Sequence, residues 1–145
     1  MKKLLILVLI SFTQSVFSQR EIRRAPEPQK DLNGNIIPPN EIDIYNPVGI
    51  DVKPEFPGGT QKFHQFIDEN YKKPNKKPTP QGKVFATFII EINGSLSDIK
   101  ILRDIGYGTG EELVRVLKLS PKWKPGKLNH KEVRTLYSLV FPVQQ

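Results

Sequence analysis

The sequence predicts an α+β fold built from a β-hairpin, a further strand and two amphipathic helices. Apolar runs flank an Asn-Gly pair in 83–103, helix-spaced apolar residues recur in 60–71 and 109–118, and alternating residues fill 133–141. A lone hairpin is marginally stable in water and needs a third strand or a helix over its apolar face. Because the chain supplies both, we expect these elements to share one core.

The hairpin is the element that the rest of the chain is expected to cover. Its runs of β-branched and aromatic residues flank Asn93-Gly94, a dipeptide that is the strongest short-range hairpin signal. Gly94 takes positive φ without steric cost, so the chain can reverse there. Since strand residues alternate between faces, the first strand is predicted to have one apolar face composed of Val84, Ala86, Phe88, Ile90 and Ile92.

The register of the hairpin stays open between two alternatives. A two-residue loop pairs Ala86 with Ile101 but leaves Leu96 out of phase with the apolar face. A three-residue loop with a β-bulge near Ser97-Asp98 brings Leu96 into phase. In either register the hairpin is antiparallel and has one face that needs cover.

The first helix pattern follows Pro57-Gly58-Gly59, where the glycine pair lets the backbone turn sharply. Its apolar residues recur at i, i+3, i+4 and i+8, which is typical of an amphipathic helix; they are Phe63, Phe66, Ile67 and Tyr71. Lys72-Lys73 are predicted in the last turn, where the helix dipole favours basic residues. Residues 48–56 could form a short strand before this helix.

The second helix is predicted to begin with a capping box formed by Thr109 and Glu112. Its buried stripe consists of Leu113, Val116 and Leu117, and Pro121 forbids continuation.

The C-terminal part of the chain predicts a clamped loop and a last strand. Trp123, the only tryptophan, lies between two prolines and is expected to plug the core rather than to contact a ligand. In 133–141 alternate residues share one face, and Pro142 closes the strand. Proline suits an edge strand better than a central one.

The composition and the N-terminus indicate export. The 145 residues carry a formal net charge of +7, which favours acidic partners or anionic surfaces, and no cysteine, which excludes disulfides and thiolate metal sites. Residues 1–18 have the basic, apolar and small-residue regions of a signal peptide, so we predict cleavage between Ser18 and Gln19. A flexible linker containing prolines is predicted at 19–47. We expect a periplasmic protein without a nucleic-acid partner, or, as the alternative, one held at the inner membrane by an uncleaved anchor.

The sequence contains no pattern that indicates catalysis. Neither His64 nor His130 has a neighbouring histidine or cysteine, and the chain has no phosphate-binding loop, zinc-protease motif or nucleophile elbow. The acidic pairs Asp68-Glu69 and Glu111-Glu112 are adjacent on helices, where neighbours point about 100° apart. We therefore expect no enzyme, no metal site and no cofactor.

Several of these motifs, in this order, resemble the TonB C-terminal domain family in the form found in Bacteroidetes-type bacteria. The resemblance covers roughly residues 48–143 of the predicted 48–145 domain. It is carried by Pro54-Glu55-Phe56-Pro57-Gly58-Gly59, Gly82-Lys83-Val84, Gly94-Ser95-Leu96-Ser97-Asp98 and Trp123-Lys124-Pro125-Gly126.

The resemblance implies a three-stranded antiparallel sheet with two helices packed on one face. Members of the family bind the TonB box, a short extended peptide of outer-membrane transporters, by adding it to an exposed sheet edge. On this chain the receiving edge would comprise Val133, Arg134, Thr135, Leu136, Tyr137, Ser138 and Leu139. The residues that maintain the fold would be Pro57, Gly58, Gly59, Gly94, Trp123, Pro125 and Gly126.

The sequence departs from the energy-transducing members of that family in two respects. Its N-terminal segment looks cleavable, and the linker at 19–47 is short for a spacer across the periplasm. We therefore expect a periplasmic protein that binds a transporter or another envelope protein. The alternatives are a membrane-anchored energy transducer, a basic module associated with the cell wall, and an edge covered by the N-terminal segment or by a second copy in a homodimer.

Overall fold

The computed structural model describes residues 30–35, 38–77 and 80–143. The predicted signal segment, its cleavage site at Ser18–Gln19 and residues 19–29 of the linker lie outside the described residues. Within the described part, the helices are α1 (Gly59–Asn70) and α2 (Thr109–Lys118). The strands are β1 (Ile44–Tyr45), β2 (Gly82–Ile90), β3 (Leu96–Arg103), β4 (Gly126–Leu128) and β5 (Lys131–Val143).

The fold is α+β, as predicted, but its sheet is mixed and contains more strands than three. The strand order is β1-β5-β2-β3, and β4 pairs with β5 outside this path. β2 pairs antiparallel with both β3 and β5, whereas β1 runs parallel to β5. The three-stranded expectation thus covers β5-β2-β3 and misses the two short strands.

The hairpin adopts the register with a three-residue loop and a bulge. Glu91 donates its N–H to the carbonyl oxygen of Ser95, so Ile92 lies in the loop between them. The ladder shifts in register between Thr87 and Ile89, opposite Asp98, whose φ is 45°. The prediction that Ile92 continues the apolar face is therefore wrong, because β2 ends at Ile90 and the Ile92 side chain is 37% exposed.

The core lies between the two helices and one face of the sheet. α1 contributes Phe63 and Ile67, and β2 contributes alternate residues from Val84 to Ile90. The predicted stripe of α2 is fully buried, and it consists of Leu113, Val116 and Leu117. Both helices therefore pack on the same face of the sheet.

Trp123 is a core residue, as predicted. Its side chain is 5% exposed, and its ring meets that of Phe63 edge-on with the centroids 4.8 Å apart. The indole N–H donates to the hydroxyl of Ser120.

Three local predictions differ from the structure. Lys72-Lys73 lie beyond α1, because the N–H of Tyr71 caps the carbonyl oxygen of Ile67 and the chain becomes extended there. The N-cap of α2 is Gly108 rather than Thr109, whose hydroxyl donates to the carbonyl oxygen of Gly106 instead.

The third difference concerns residues 48–56, which form no continuous strand. A single 3-10 turn spans Pro47–Gly49, and beyond it Val52 and Glu55 make isolated bridges to the segment that contains β4.

No helix in the described part of the chain is both long and apolar enough to cross a bilayer.

Candidate functional site

The two flanks of β5 are occupied to different extents. On one flank, β2 pairs with β5 from Thr135 to Val143. On the opposite flank, β1 pairs only with Arg134 and Thr135. From Leu136 to Val143 no described residue pairs with this second flank, which we call the open flank.

Pro142 indicates which main-chain groups face the open flank. Proline has no N–H to donate, so within a sheet it is tolerated where its nitrogen faces no ladder partner. Pro142 lies opposite Lys83 within the β2–β5 ladder. Its nitrogen therefore faces away from β2. Since successive residues of a strand direct their N–H and C=O groups to opposite flanks, the groups of Leu136, Ser138 and Val140 also face the open flank.

The side chains of this part of β5 divide between two environments. Leu139, Phe141 and Val143 are buried against the helices, whereas Leu136 and Val140 are 37% and 46% exposed on the outer face. This division agrees with the predicted alternation of the last strand.

Helix α1 lies over the buried side of β5. Phe63 near its start is 6.1 Å from Tyr137, and Tyr71 after its end is 4.7 Å from Phe141, measured between ring centroids. Burial raises the pKa of Tyr71 to about 12, and its hydroxyl donates to the carbonyl oxygen of Thr109. α1 therefore borders the open flank on the helix side.

β1 is held on β5 by one buried aromatic ring and one guanidinium group. Tyr45 is 9% exposed, and its burial raises the pKa of the hydroxyl. Arg134 donates from Nη1 to the carbonyl oxygen of Ile42 at 2.9 Å. The strand itself contributes only two paired residues.

Arg134 also forms a bidentate ion pair with Glu91 at the end of β2. Its Nε and Nη2 atoms lie 2.7 and 3.0 Å from the two carboxylate oxygens. Hydrogen bonding from Arg134 lowers the pKa of Glu91, and the Ser97 hydroxyl donates a further bond to this carboxylate. One guanidinium therefore links the hairpin to the segment that leads into β1.

The structure divides the seven residues predicted to form the receiving edge. Val133 pairs with Gly126 of β4, and Arg134 and Thr135 pair with β1. Leu136, Tyr137, Ser138 and Leu139 lie within the part of β5 that has an open flank.

Gly94 and Gly126 of the predicted structural motifs lie where another segment of the chain approaches closely. A side chain at Gly94 would collide with the carbonyl oxygen of Trp123, and the N–H of Trp123 donates to the carbonyl oxygen of Gly94 at 2.8 Å. Gly126 has the Thr135 hydroxyl and Ile50 at the position of its missing Cβ. The motifs at Gly94 and Trp123 therefore join the hairpin loop to the segment before β4. Pro125 lies between Trp123 and Gly126 in this segment.

At the start of α1, Gly58 and Gly59 have φ of 86° and 85°, directly after the exposed Pro57. These left-handed conformations are the turn that the glycine pair was predicted to make.

Sequence reasoning missed β1 and the extension of β5 beyond Phe141. The predicted linker includes Ile44 and Tyr45, yet Tyr45 is buried in the folded domain. The alternation of Ile42-Asp43-Ile44 could have indicated an extended segment. The described residues contain no cluster of three or more His, Cys, Asp or Glu that could hold a metal ion.

Comparison of the chain with protein-family models, with curated proteins and with solved structures finds no match.

Proposed function

We propose that this chain is an exported, TonB C-terminal-like domain that binds an extended segment of a partner polypeptide by β-strand addition to β5. The observation that carries the proposal is the open flank from Leu136 to Val143. The partner is an outer-membrane transporter or another protein of the cell envelope, and the place of binding is the periplasm.

Strand addition follows from the state of the main chain along this flank. Each unmade backbone hydrogen bond of an edge strand is available to a second chain, and each is worth about 0.5–1.5 kcal/mol net when made. Leu136, Ser138 and Val140 supply donors and acceptors, whereas Pro142 supplies only an acceptor. Eight residues at about 3.4 Å each give a flank of about 27 Å, enough for a peptide strand of similar length.

The arrangement of the domain supports the TonB-like interpretation. The β5-β2-β3 part of the sheet has both helices on one face, which is the arrangement that the resemblance implies. The receiving strand is the last one in the chain, where the resemblance also puts it.

The proposal is tested by titrating the protein with peptides from the N-terminal segments of outer-membrane transporters of the same organism. We expect at least one such peptide to bind. Val140→Pro removes one N–H from the open flank and should weaken binding, whereas the matched change Val140→Thr keeps that N–H and should not. Equal binding by the two folded variants would contradict strand addition.

Export is tested separately by N-terminal sequencing of the native protein. A chain that begins at Gln19 is expected. A chain that still begins with the residues of 1–18 would instead support the membrane-anchored alternative.

A further inference from the structure

A cavity of about 250 Å³ opens beside the point where β1 leaves β5. Its inner wall is aromatic, formed by Phe56, Trp123 and Tyr137, of which Phe56 and Trp123 are 6% and 5% exposed. Pro47, Lys53, Pro54 and Thr60 also line the cavity. The rim is polar, because the Glu55 carboxylate lies there. Its Oε2 atom forms an ion pair with Nζ of Lys124 at 3.1 Å.

The parallel register of β1 gives the position of this cavity relative to the open flank. Tyr45 lies opposite Thr135, so Pro47, two residues later, comes beside Tyr137. At Pro47 the chain turns into the 3-10 helix and leaves the flank. The cavity therefore lies on the helix side of the sheet, where the open flank begins.

The Tyr137 ring of the wall is fixed by its packing against two neighbouring rings, Phe88 and Trp123. The Tyr137 ring stacks on Phe88 at 5.1 Å with an interplanar angle of 19° and meets Trp123 edge-on at 5.1 Å. Burial raises the pKa of Tyr137. The cavity thus offers an aromatic inner surface, and the polar side chains of Lys53, Glu55 and Thr60 also line it.

The volume suits one large side chain rather than a cofactor. An apolar cavity of about 150 Å³ holds a benzene molecule, whereas sites for drug-sized ligands begin near 300 Å³. In a strand added to β5, every second side chain points to the helix side of the sheet. The end of that strand next to Pro47 would direct such a side chain toward the cavity.

We propose that the cavity receives one large apolar side chain, aromatic or branched aliphatic, from the strand that adds to the open flank. This inference rests on the proposed function, because continuity with the open flank identifies the occupant as part of an extended polypeptide. The main-chain bonds of the flank accept any sequence, whereas the cavity selects for one residue. It is therefore the specificity determinant of the binding site.

The test uses soluble peptides of the form Glu-Thr-Thr-X-Thr-Thr-Glu, acetylated and amidated, in which X is Phe, Leu or Ala and is also moved along the peptide. The acidic ends complement the basic net charge of the chain. We expect Phe and Leu to bind about ten- to thirtyfold more tightly than Ala, because a large apolar side chain is buried. The gain should appear at one position of X only.

Two variants that add the same ring inside and outside the cavity wall provide a matched comparison. Thr60→Trp puts a large ring into the wall at an exposed helix position, and Gln61→Trp puts the same ring one residue further, outside the cavity wall. The Phe peptide should lose its advantage over the Ala peptide in Thr60→Trp and keep it in Gln61→Trp.

The outcomes separate the two proposals. If all peptides bind equally and Val140→Pro still weakens them, the cavity proposal is wrong and strand addition stands. If no peptide binds, strand addition itself is contradicted. If free phenylalanine amide binds as tightly as the Phe peptide, the cavity is a small-molecule site and the inference is overturned.

Discussion

The two halves of β5 differ in how their main chain is enclosed. From Lys131 to Thr135 the strand pairs with β4 and then with β1, and Thr135 is paired on both flanks. From Leu136 to Val143 only β2 pairs with it among the described residues. The first half thus pairs with the two short strands and is closed on both flanks only at Thr135, whereas the second half pairs with β2 alone and can accept another chain. The boundary between them is the two-residue strand β1.

The enclosed half depends on groups that lie far apart in the sequence. Arg134 joins Glu91 of the hairpin loop to Ile42 before β1, and Gly126 lets β4 come close to Thr135. The open half has no such links on its second flank in the described structure. Changes to the first half should therefore act on stability, whereas changes to the main-chain groups on the open flank of the second half should act on binding.

The largest loss in the free energy of unfolding is expected when the aromatic packing under the boundary between the two halves of β5 is removed. Trp123→Ala removes the indole that contacts both Tyr137 and Phe63, and a buried aromatic replaced by alanine costs about 3–5 kcal/mol. Urea unfolding measures the change. Ser120→Ala removes only the bond to the indole N–H and should cost about 1 kcal/mol; equal losses would mean that the ring does not support the core.

Proline substitutions should distinguish the two flanks of the open half. Tyr137→Pro removes an N–H that faces β2 and leaves a carbonyl oxygen of the ladder unpaired, at a cost of about 1–3 kcal/mol beyond the loss of the ring. Val140→Pro removes an N–H that faces the open flank and should leave the ladder to β2 intact. The free energy of unfolding should therefore fall more in Tyr137→Pro than in Val140→Pro. A larger fall in Val140→Pro would mean that the two flanks are assigned wrongly.

Releasing β1 from β5 should make the two halves of β5 more alike in the exchange rates of the amides on the flank that β1 covers. Tyr45→Ala removes the buried ring that holds β1, with an expected loss of about 2 kcal/mol, and it should speed amide hydrogen exchange at Arg134. Tyr45→Phe keeps the ring and serves as the control. Unchanged exchange at Arg134 in Tyr45→Ala would show that other contacts hold the strand.

The smallest effect is a dependence on pH from the Arg134–Glu91 pair. The pKa of Glu91 is lowered in the folded protein by its hydrogen bonds from Arg134. The contribution of Glu91 to the free energy of unfolding is therefore complete at pH values above the ordinary carboxylate pKa. It is lost as the pH falls through the lowered pKa of the folded protein. We expect a small loss of unfolding free energy, because a solvent-screened ion pair contributes little, and unfolding at pH values below about 4 measures it. Glu91→Gln should flatten this part of the pH profile, and an unaltered profile would assign the dependence to other carboxylates.

The elements with strong local patterns could be predicted from the sequence. Both helices and the hairpin follow from periodicity and from Asn93-Gly94, and the buried position of Trp123 follows from its proline-flanked loop. The bulge could be proposed but not chosen, because the positive φ of Asp98 depends on how the strands pack.

The division of the last strand could not be predicted in the same way. β1 has only two residues and pairs with a segment far along the chain. The alternation of Ile42-Asp43-Ile44 indicates extended chain at most, and no local pattern specifies the partner strand. The cavity combines residues from segments that begin at Pro47, Lys53, Thr60, Trp123 and Tyr137. Only the folded chain brings them together.

The most direct test of the central claim is amide hydrogen exchange of the full chain, with and without a bound peptide. We expect the amides of Ser138 and Val140 to exchange quickly in the free protein and to slow at least tenfold when the peptide binds. The amides of Tyr137 and Leu139, which face β2, should be slow in both states. If Ser138 and Val140 exchange at the same rate with and without the peptide, while protection appears elsewhere on the domain, β5 is not the receiving strand.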